Sequence, residues 1–265
     1  MQQPTTPYWS TDAYADDLRG WVESLLGPVE MTQRKLRAWS TVWQVRAGDG
    51  AYWVKQNCPS QAFEGALTAR LAAWVPERVT LRVEDTVSLA RERADLLHGL
   101  DPADPCHLDE RAWRAVQVGM PAVENAAGAL AAVGLPLALN HNDLHDGNAF
   151  VAAPGQPLRF FDLADAVLTD PTAALLVPLS MLTDPRAAGA VASAWVEVWR
   201  EVVDEATLWR VLPDGLRLGR LSRHQAWWRV MSAMTGEELG EWGYALTYWL
   251  AKVADPAPDF VVPNR

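Results

Sequence analysis

The stretch His141–Asn148, HNDLHDGN, sets two histidines, two aspartates and two asparagines around one glycine, directly after the apolar run LPLALN. Three uses compete for such a cluster. Imidazoles and carboxylates at alternating positions can ligate a transition metal. Oxygen ligands spread over a short loop can serve a hard cation in phosphoryl transfer. A polar turn can spend the same side chains on its own backbone. The chain downstream bears on the choice, because the apolar run LRFF ends on Asp162. A hairpin joining GNAFV to LRFF through the turn APGQP would set Asn148 and Asp162 side by side at one mouth. Two oxygens completed by water and phosphate suit magnesium, which dehydrates reluctantly. Asp143 would then stand near the cation without binding it, able to accept a proton from a substrate hydroxyl.

The spacing D-x-x-x-x-N followed by a strand-terminal aspartate resembles the catalytic loop and magnesium aspartate of kinases. With His141, Asp143, Leu144, His145, Asn148 and then FFDLAD, which contains Asp162 and Asp165, the chain is similar to the aminoglycoside phosphotransferase family, relatives of the choline kinases with a two-lobed protein-kinase-like fold. The resemblance implies that Asp143 is the catalytic base, that Asn148 and Asp162 hold magnesium, and that ATP or GTP donates the phosphoryl group. It makes His141 a brace of the loop and Asp165 a partner in loop hydrogen bonding. His145 is left between a brace and a substrate contact. Asp146 is read as solvated. Two departures stand in the motif: Asn142 occupies a position where glycine is common in the family, and DLA replaces D-F-G.

The same resemblance makes demands upstream. A lysine on the third strand of the small lobe and a glutamate on the next helix should neutralise and orient the phosphates. YWVKQ supplies Lys55 and FEGAL supplies Glu64. AWSTVWQV stands where a phosphate-covering loop belongs but has no G-x-G-x-x-G, which leaves backbone amides and the hydroxyls of Ser40 and Thr41 for that task. Between Glu64 and Asp143 the layout asks for two further strands and an adenine-binding hinge, whereas the stretch from Val75 to Ser88 has room for one strand. Residues missing from that interval account for this better than a truncated lobe.

The elements that must position these groups follow from periodicity. STDAYADDLRGWVESLLG puts Tyr14, Leu18, Trp21, Val22, Leu25 and Leu26 on one helical face, with Ser10 or Thr11 to start it and Gly27 to stop it. STVWQVRA and AYWVKQN alternate about GDG, which predicts an antiparallel hairpin with Lys55 on its second strand. SQAFEGALTARLAAWV returns to helical spacing. Beyond residue 79 the pattern is mostly helical. Three successive helices are expected in SLARERADLLHGL, LDERAWRAVQVGM and AVENAAGALAAVGL, then short strands in LALNH, GNAFVAA and PLRFFDL, then helices near 172–182, 186–204, 205–233 and 236–253. The fold class is therefore α+β, with residues 1–90 forming a strand-rich nucleotide lobe and 91–265 a helical lobe that carries the catalytic loop and the acceptor site.

Composition narrows the partners. The 265 residues carry a net charge of -10, which argues against nucleic acid and anionic membrane surfaces and suits a small hydroxylated, cationic substrate. An aminoglycoside-like antibiotic or an amino sugar fits that class, and with it a role in antibiotic resistance. Glu237, Glu238 and Glu241 in TGEELGEWGY are candidates to meet such an amine, although negative charge at a helix start explains them better. Most of the 14 tryptophans fall in periodic apolar segments and read as packing. The two cysteines form no paired motif, and no secretory signal or bilayer-length apolar run is seen, so a cytoplasmic location is expected. Two other readings stay open: a metal-dependent hydrolase built on His141, Asp143 and His145, and a kinase-like module that binds nucleotide without catalysis.

Overall fold

The computed structural model describes residues 6–48, 50–61, 80–150, 159–231 and 233–257. The chain divides into two compact units, Met1–Val75 with Trp228–Gly243, and Pro76–Trp227 with Tyr244–Arg265. The first holds an antiparallel sheet and the second is mainly helical, as the α+β expectation required.

In the first unit, α1 (Thr6–Trp9) leads into α2 (Asp12–Leu26). Thr11 caps α2 by accepting the Tyr14 N–H at 3.2 Å, and Gly27, at φ 76°, ends it by donating to the Glu23 carbonyl. Only Tyr14, Leu18 and Val22 of the predicted apolar face are buried; Trp21 and Leu25 are exposed. The buried stripe is therefore a single row at four-residue spacing. It meets the sheet where the Tyr14 hydroxyl donates to Gln56 Oε1 at 2.9 Å and its ring lies 6.4 Å from that of Trp43.

The sheet has three strands in the order β1 (Glu30–Arg37), β2 (Ser40–Ala47), β3 (Gly50–Asn57). β1, EMTQRKLR, is absent from the sequence reading. It is a charged edge strand whose alternation is broken by a register shift between Gln33 and Lys35, and such strands lack the apolar period that marks a strand in sequence. Its presence puts Lys55 on the third strand, paired with Val42. The β2–β3 turn pairs Ala47 with Gly50 and uses Gly48 at φ 54°. Asp49, the residues from 62 to 79 with Glu64 among them, residues 151–158 with the APGQP turn, and the proline-rich tail from 258 lie outside the described residues.

The second unit opens with an isolated bridge between Thr80 and Leu168, then a turn at Val83–Asp85 and α3 (Thr86–His98). α4 runs unbroken over Glu110–Val133. Two helices separated at Pro121 were expected. Val116, Met120, Val123, Ala126, Ala127 and Leu130 are buried on both sides of that proline, and this continuous apolar stripe outweighs the roughly 3 kcal/mol that an interior proline costs. Gly119 allows close approach to Ala254, whose Cα lies only 2.7 Å from where a Cβ would stand.

Of the short strands, one pair matches the hairpin expected from GNAFV and LRFF and the other does not. β4 (Ala138–Asn140) pairs with β7 (Val167–Thr169), a strand the sequence reading lacked, while β5 (Ala149–Phe150) pairs with β6 (Arg159–Phe160). A turn at Pro171–Leu175 and α5 (Leu176–Ser180) precede α6 (Pro185–Trp199), α7 (Glu205–Met231) and α8 (Gly236–Ala251). Leu212 and Leu216 of α7 pack with Leu175, Leu176 and Leu179 and with Ala188 and Ala192 of α6. Gly215 has no alternative there, since a Cβ would meet Thr172 Oγ1 at 1.7 Å.

Candidate active site

The loop between β4 and β5 is organised from its buried asparagines outward. Asn140 Oδ1 accepts the Asn142 N–H at 2.8 Å, and the Asn142 amide donates to the carbonyls of Asp165 at 3.1 Å and Ser222 at 2.9 Å. Asn142 takes φ 65°. The residue that departs from glycine thus keeps a left-handed backbone and adds a clamp that glycine lacks. His141 reaches across to Phe161, with Nε2 2.8 Å from its carbonyl.

On the far side of the loop, the Phe161 N–H donates to the Asn148 carbonyl at 3.1 Å, extending the β5–β6 ladder by one step. The hairpin pairing inferred from GNAFV and LRFF is therefore present, and Asp162 follows directly after the residue bonded to Asn148. Asp162 adopts φ 63° and ψ 59°. Among the described residues, Asn142 and Asp162 are the non-glycine positions with positive φ. Unfavourable backbone of this kind persists where surrounding bonds over-determine it, and it collects at functional sites.

Asn148 turns its amide nitrogen inward, to the Asp143 carbonyl at 2.8 Å, to Asp143 Oδ2 at 3.4 Å and to His145 Nε2 at 3.2 Å. Its Oδ1 takes no hydrogen bond among the described residues. The backbone bond from Phe161 sets Asn148 and Asp162 at neighbouring positions of one hairpin end. His145 Nδ1 faces the Gly147 N–H at 3.0 Å, so both ring nitrogens of His145 look toward donors. A neutral imidazole accepts at one nitrogen only. The Gly147 N–H donates to His145 Nδ1 and also to Asp146 Oδ1 at 2.9 Å, so Nδ1 is an accepting nitrogen of the ring. His145 is thereby a member of the loop's own network. Asp146 is fully solvent-exposed.

Asp143 is held by a residue that the sequence reading did not single out. Arg223 of α7 places Nη2 3.1 Å from Asp143 Oδ1, and its Nη1 lies 2.8 Å from Asp165 Oδ2 and 2.6 Å from the Asn142 carbonyl. Burial pushes the Asp143 carboxyl above its usual range. Arg223 and His145 oppose that shift, and Asp165 and Asp162 add to it. One oxygen of Asp143 is thus fixed by a guanidinium and the other points to the Asn148 side of the loop.

In the first unit, Lys55 is half-buried on β3 and borders an open cavity of about 550 Å³ whose other walls include Tyr8, Tyr14 and Trp21. Ser40 and Thr41 need correction. They lie inside β2 rather than in a loop, at 2% and 0% exposure, and the Thr41 hydroxyl accepts from Gln33 Nε2 at 2.9 Å and sits 3.3 Å from the Lys35 carbonyl. The connection between β1 and β2 is the two-residue turn Ala38–Trp39, too short to form a hydroxyl-lined flap. Glu238 closes a capping box with Thr235, whose N–H donates to Glu238 Oε2 at 2.7 Å while Thr235 Oγ1 accepts the Glu238 N–H at 3.2 Å. It serves the start of α8.

The cluster that a zinc hydrolase needs is not assembled. His141 is turned to Phe161 and Asp143 to Arg223, and among the described residues no group of three or more His, Cys, Asp or Glu side chains is placed to hold a metal.

No family model matches the chain, and no curated protein matches it. Solved structures similar to it include an ethanolamine kinase from Plasmodium vivax, at 12% identity and a TM-score of 0.46, with 89% of this chain and 85% of that one covered. A spectinomycin phosphotransferase in complex with ADP and spectinomycin gives 11% identity and a TM-score of 0.47 over 90% of this chain and 97% of that one. A putative aminoglycoside phosphotransferase from Ralstonia eutropha gives 11% and 0.38 over 92% and 99%. At such identity the site has to be argued from its own residues.

Proposed function

We propose that this chain is a small-molecule kinase of the aminoglycoside phosphotransferase type, moving the γ-phosphoryl group of ATP or GTP to a hydroxyl of a small, amine-bearing acceptor. The observation that carries the reading is the convergence of Asp143, Asn148 and Asp162 at the end of the β5–β6 ladder, framed by the two left-handed residues Asn142 and Asp162. Asn148 Oδ1 and the Asp162 carboxylate would hold magnesium. When bound, that ion supplies charge neutralisation to the phosphate oxygens. Lys55 would meet the α- and β-phosphates, and the resemblance gives Glu64, outside the described residues, the part of orienting it. Asp143 takes the acceptor's hydroxyl proton while the new O–P bond forms and the β–γ bridging bond breaks, releasing the nucleoside diphosphate. Positioning of the acceptor oxygen supplies most of the rate.

The test is nucleotide-dependent transfer to a panel of hydroxylated amines, read by mass as the gain of one phosphoryl group. Asp143→Asn is expected to lower turnover by about two to four orders of magnitude with nucleotide affinity retained. Asp162→Ala should remove the magnesium dependence of nucleotide binding. Nucleotide binding with no transfer to any acceptor would favour a non-catalytic module, and near-normal turnover of Asp143→Asn would remove that residue as the base.

A further inference from the structure

We infer that Arg223 is a positioning residue of this site, one that selects which oxygen of Asp143 faces the acceptor; the inference rests on the kinase reading. Its side chain is only 9% exposed and reaches three groups from two different loops. Nη2 takes Asp143 Oδ1, while Nη1 is shared between Asp165 Oδ2 and the Asn142 carbonyl. The face of Trp249 lies 5.7 Å from the guanidinium carbon. A planar fork is needed for this, because a lysine ammonium cannot present donors to both loops in one plane.

Charge explains why a cation belongs there. Asp143, Asp162 and Asp165 lie close enough that the latter two act on the first. Three carboxylates without Arg223 would repel one another. With it, a positive charge sits directly against Asp143 and Asp165 and offsets part of that repulsion. Arg223 also ties Asp143 and Asn142 on one loop to Asp165 on the other, so the base and the segment after Asp162 keep one spacing. With Oδ1 taken by the guanidinium, Oδ2 is the oxygen left to receive a proton.

The experiment compares Arg223→Lys, Arg223→Met and Asp165→Asn with the wild type in steady-state phosphoryl transfer, with melting temperatures measured alongside. A positioning role predicts a kcat loss on the order of 10²-fold in Arg223→Met and a smaller loss in Arg223→Lys, with the nucleotide KM changed by less than about threefold. Added guanidinium ion should recover part of the Arg223→Met loss and none of the Asp143→Asn loss. Should Arg223→Met fail to fold, Arg223→Lys and Asp165→Asn carry the comparison. Wild-type kcat in Arg223→Lys together with Asp165→Asn, or a loss confined to KM, would overturn the inference and leave the kinase reading standing. A wild type that transfers no phosphoryl group to any acceptor overturns both.

Discussion

Arg220 and Arg223 stand one turn apart on α7, at 6% and 7% exposure, and differ in what meets the guanidinium. Arg220 donates to backbone carbonyls, those of Lys252 and Pro256 at 2.6 Å and of Asp255 at 2.7 Å, and the Asp255 carboxylate acts on it only through space. Arg217 adds a bond to the Val253 carbonyl at 2.8 Å. These carbonyls follow the end of α8, and among the described residues only that of Lys252, of Arg220's three, also accepts a backbone N–H, from Asp255 at 3.0 Å. Arg223 faces two carboxylates and one carbonyl, on loops whose backbone is left-handed at Asn142 and Asp162. Equal burial of equal side chains therefore does not mean equal work. Direct bonds to carbonyl dipoles make Arg220 a staple for the chain beyond α8, whereas direct ion pairs tie Arg223 to Asp143 and Asp165.

The largest effect that separates the two is on stability. Arg220→Met leaves the Asp255 and Pro256 carbonyls without this donor, while the Lys252 carbonyl keeps the Asp255 N–H, and should cost about 3 kcal/mol of unfolding free energy, with turnover per folded molecule unchanged. Arg223→Met should show the reverse balance. Asp143 and Asp165 keep 32% and 24% of their side chains open to water, so solvent can replace part of what they lose. Urea unfolding beside kcat normalised to folded protein reads both. Equal turnover losses in the two variants would erase the distinction.

How much of this was legible in sequence follows the same division. Asn148 and Asp162 are close in the chain, and the local hairpin that sets their positions side by side was readable from type and spacing. Arg223 is 81 positions from Asn142, its carbonyl partner. Nothing within RLSRHQAWWRV marks one arginine over another until α7 is laid against the loop. A row at Arg217, Arg220 and Arg223 among buried leucines was the available signal, because arginines at three-residue steps on an apolar face need partners. β7 escaped for a related reason, since three residues carry little period and the strand's partner, β4, lies beyond the whole β5–β6 hairpin. Ser40 and Thr41 begin the strand expected in STVWQVRA, but with β1 missed nothing showed the pairing that holds both inside the sheet rather than over phosphates.

His224, next to Arg223, turns the other way and sharpens the contrast under acid. It is fully buried, with Nδ1 3.0 Å from the Leu246 carbonyl, and burial lowers its pKa from 6.5 to about 4. The folded state thus keeps it neutral while the unfolded chain protonates it below pH 6.5. Its contribution to stability is complete above that value and is lost as pH falls toward 4, by about 3 kcal/mol over the whole window. His224→Gln should flatten that part of the wild-type stability profile in urea unfolding between pH 7 and 4. An unchanged slope would mean that another group governs the acid limb.

The smallest effect belongs to the ion pair beside the staple. Lys252 Nζ lies 2.7 Å from Asp255 Oδ2, with 41% and 47% of the two side chains exposed. The hydrogen bond to Asp255 is the main cause raising the lysine's pKa. A raised lysine pKa means stability that is complete below about 10.4, the unfolded value, and is lost as pH climbs through the folded one. Exposure to water and salt screens most of it, so Lys252→Ala should cost less than about 0.5 kcal/mol near pH 7, and less still in high salt. The same segment is bonded by Arg220 through its carbonyls and by Lys252 through a side chain. If Lys252→Ala proved as costly as Arg220→Met, charge pairing rather than carbonyl capture would hold the chain beyond α8, and the contrast between the two arginines would lose its physical basis.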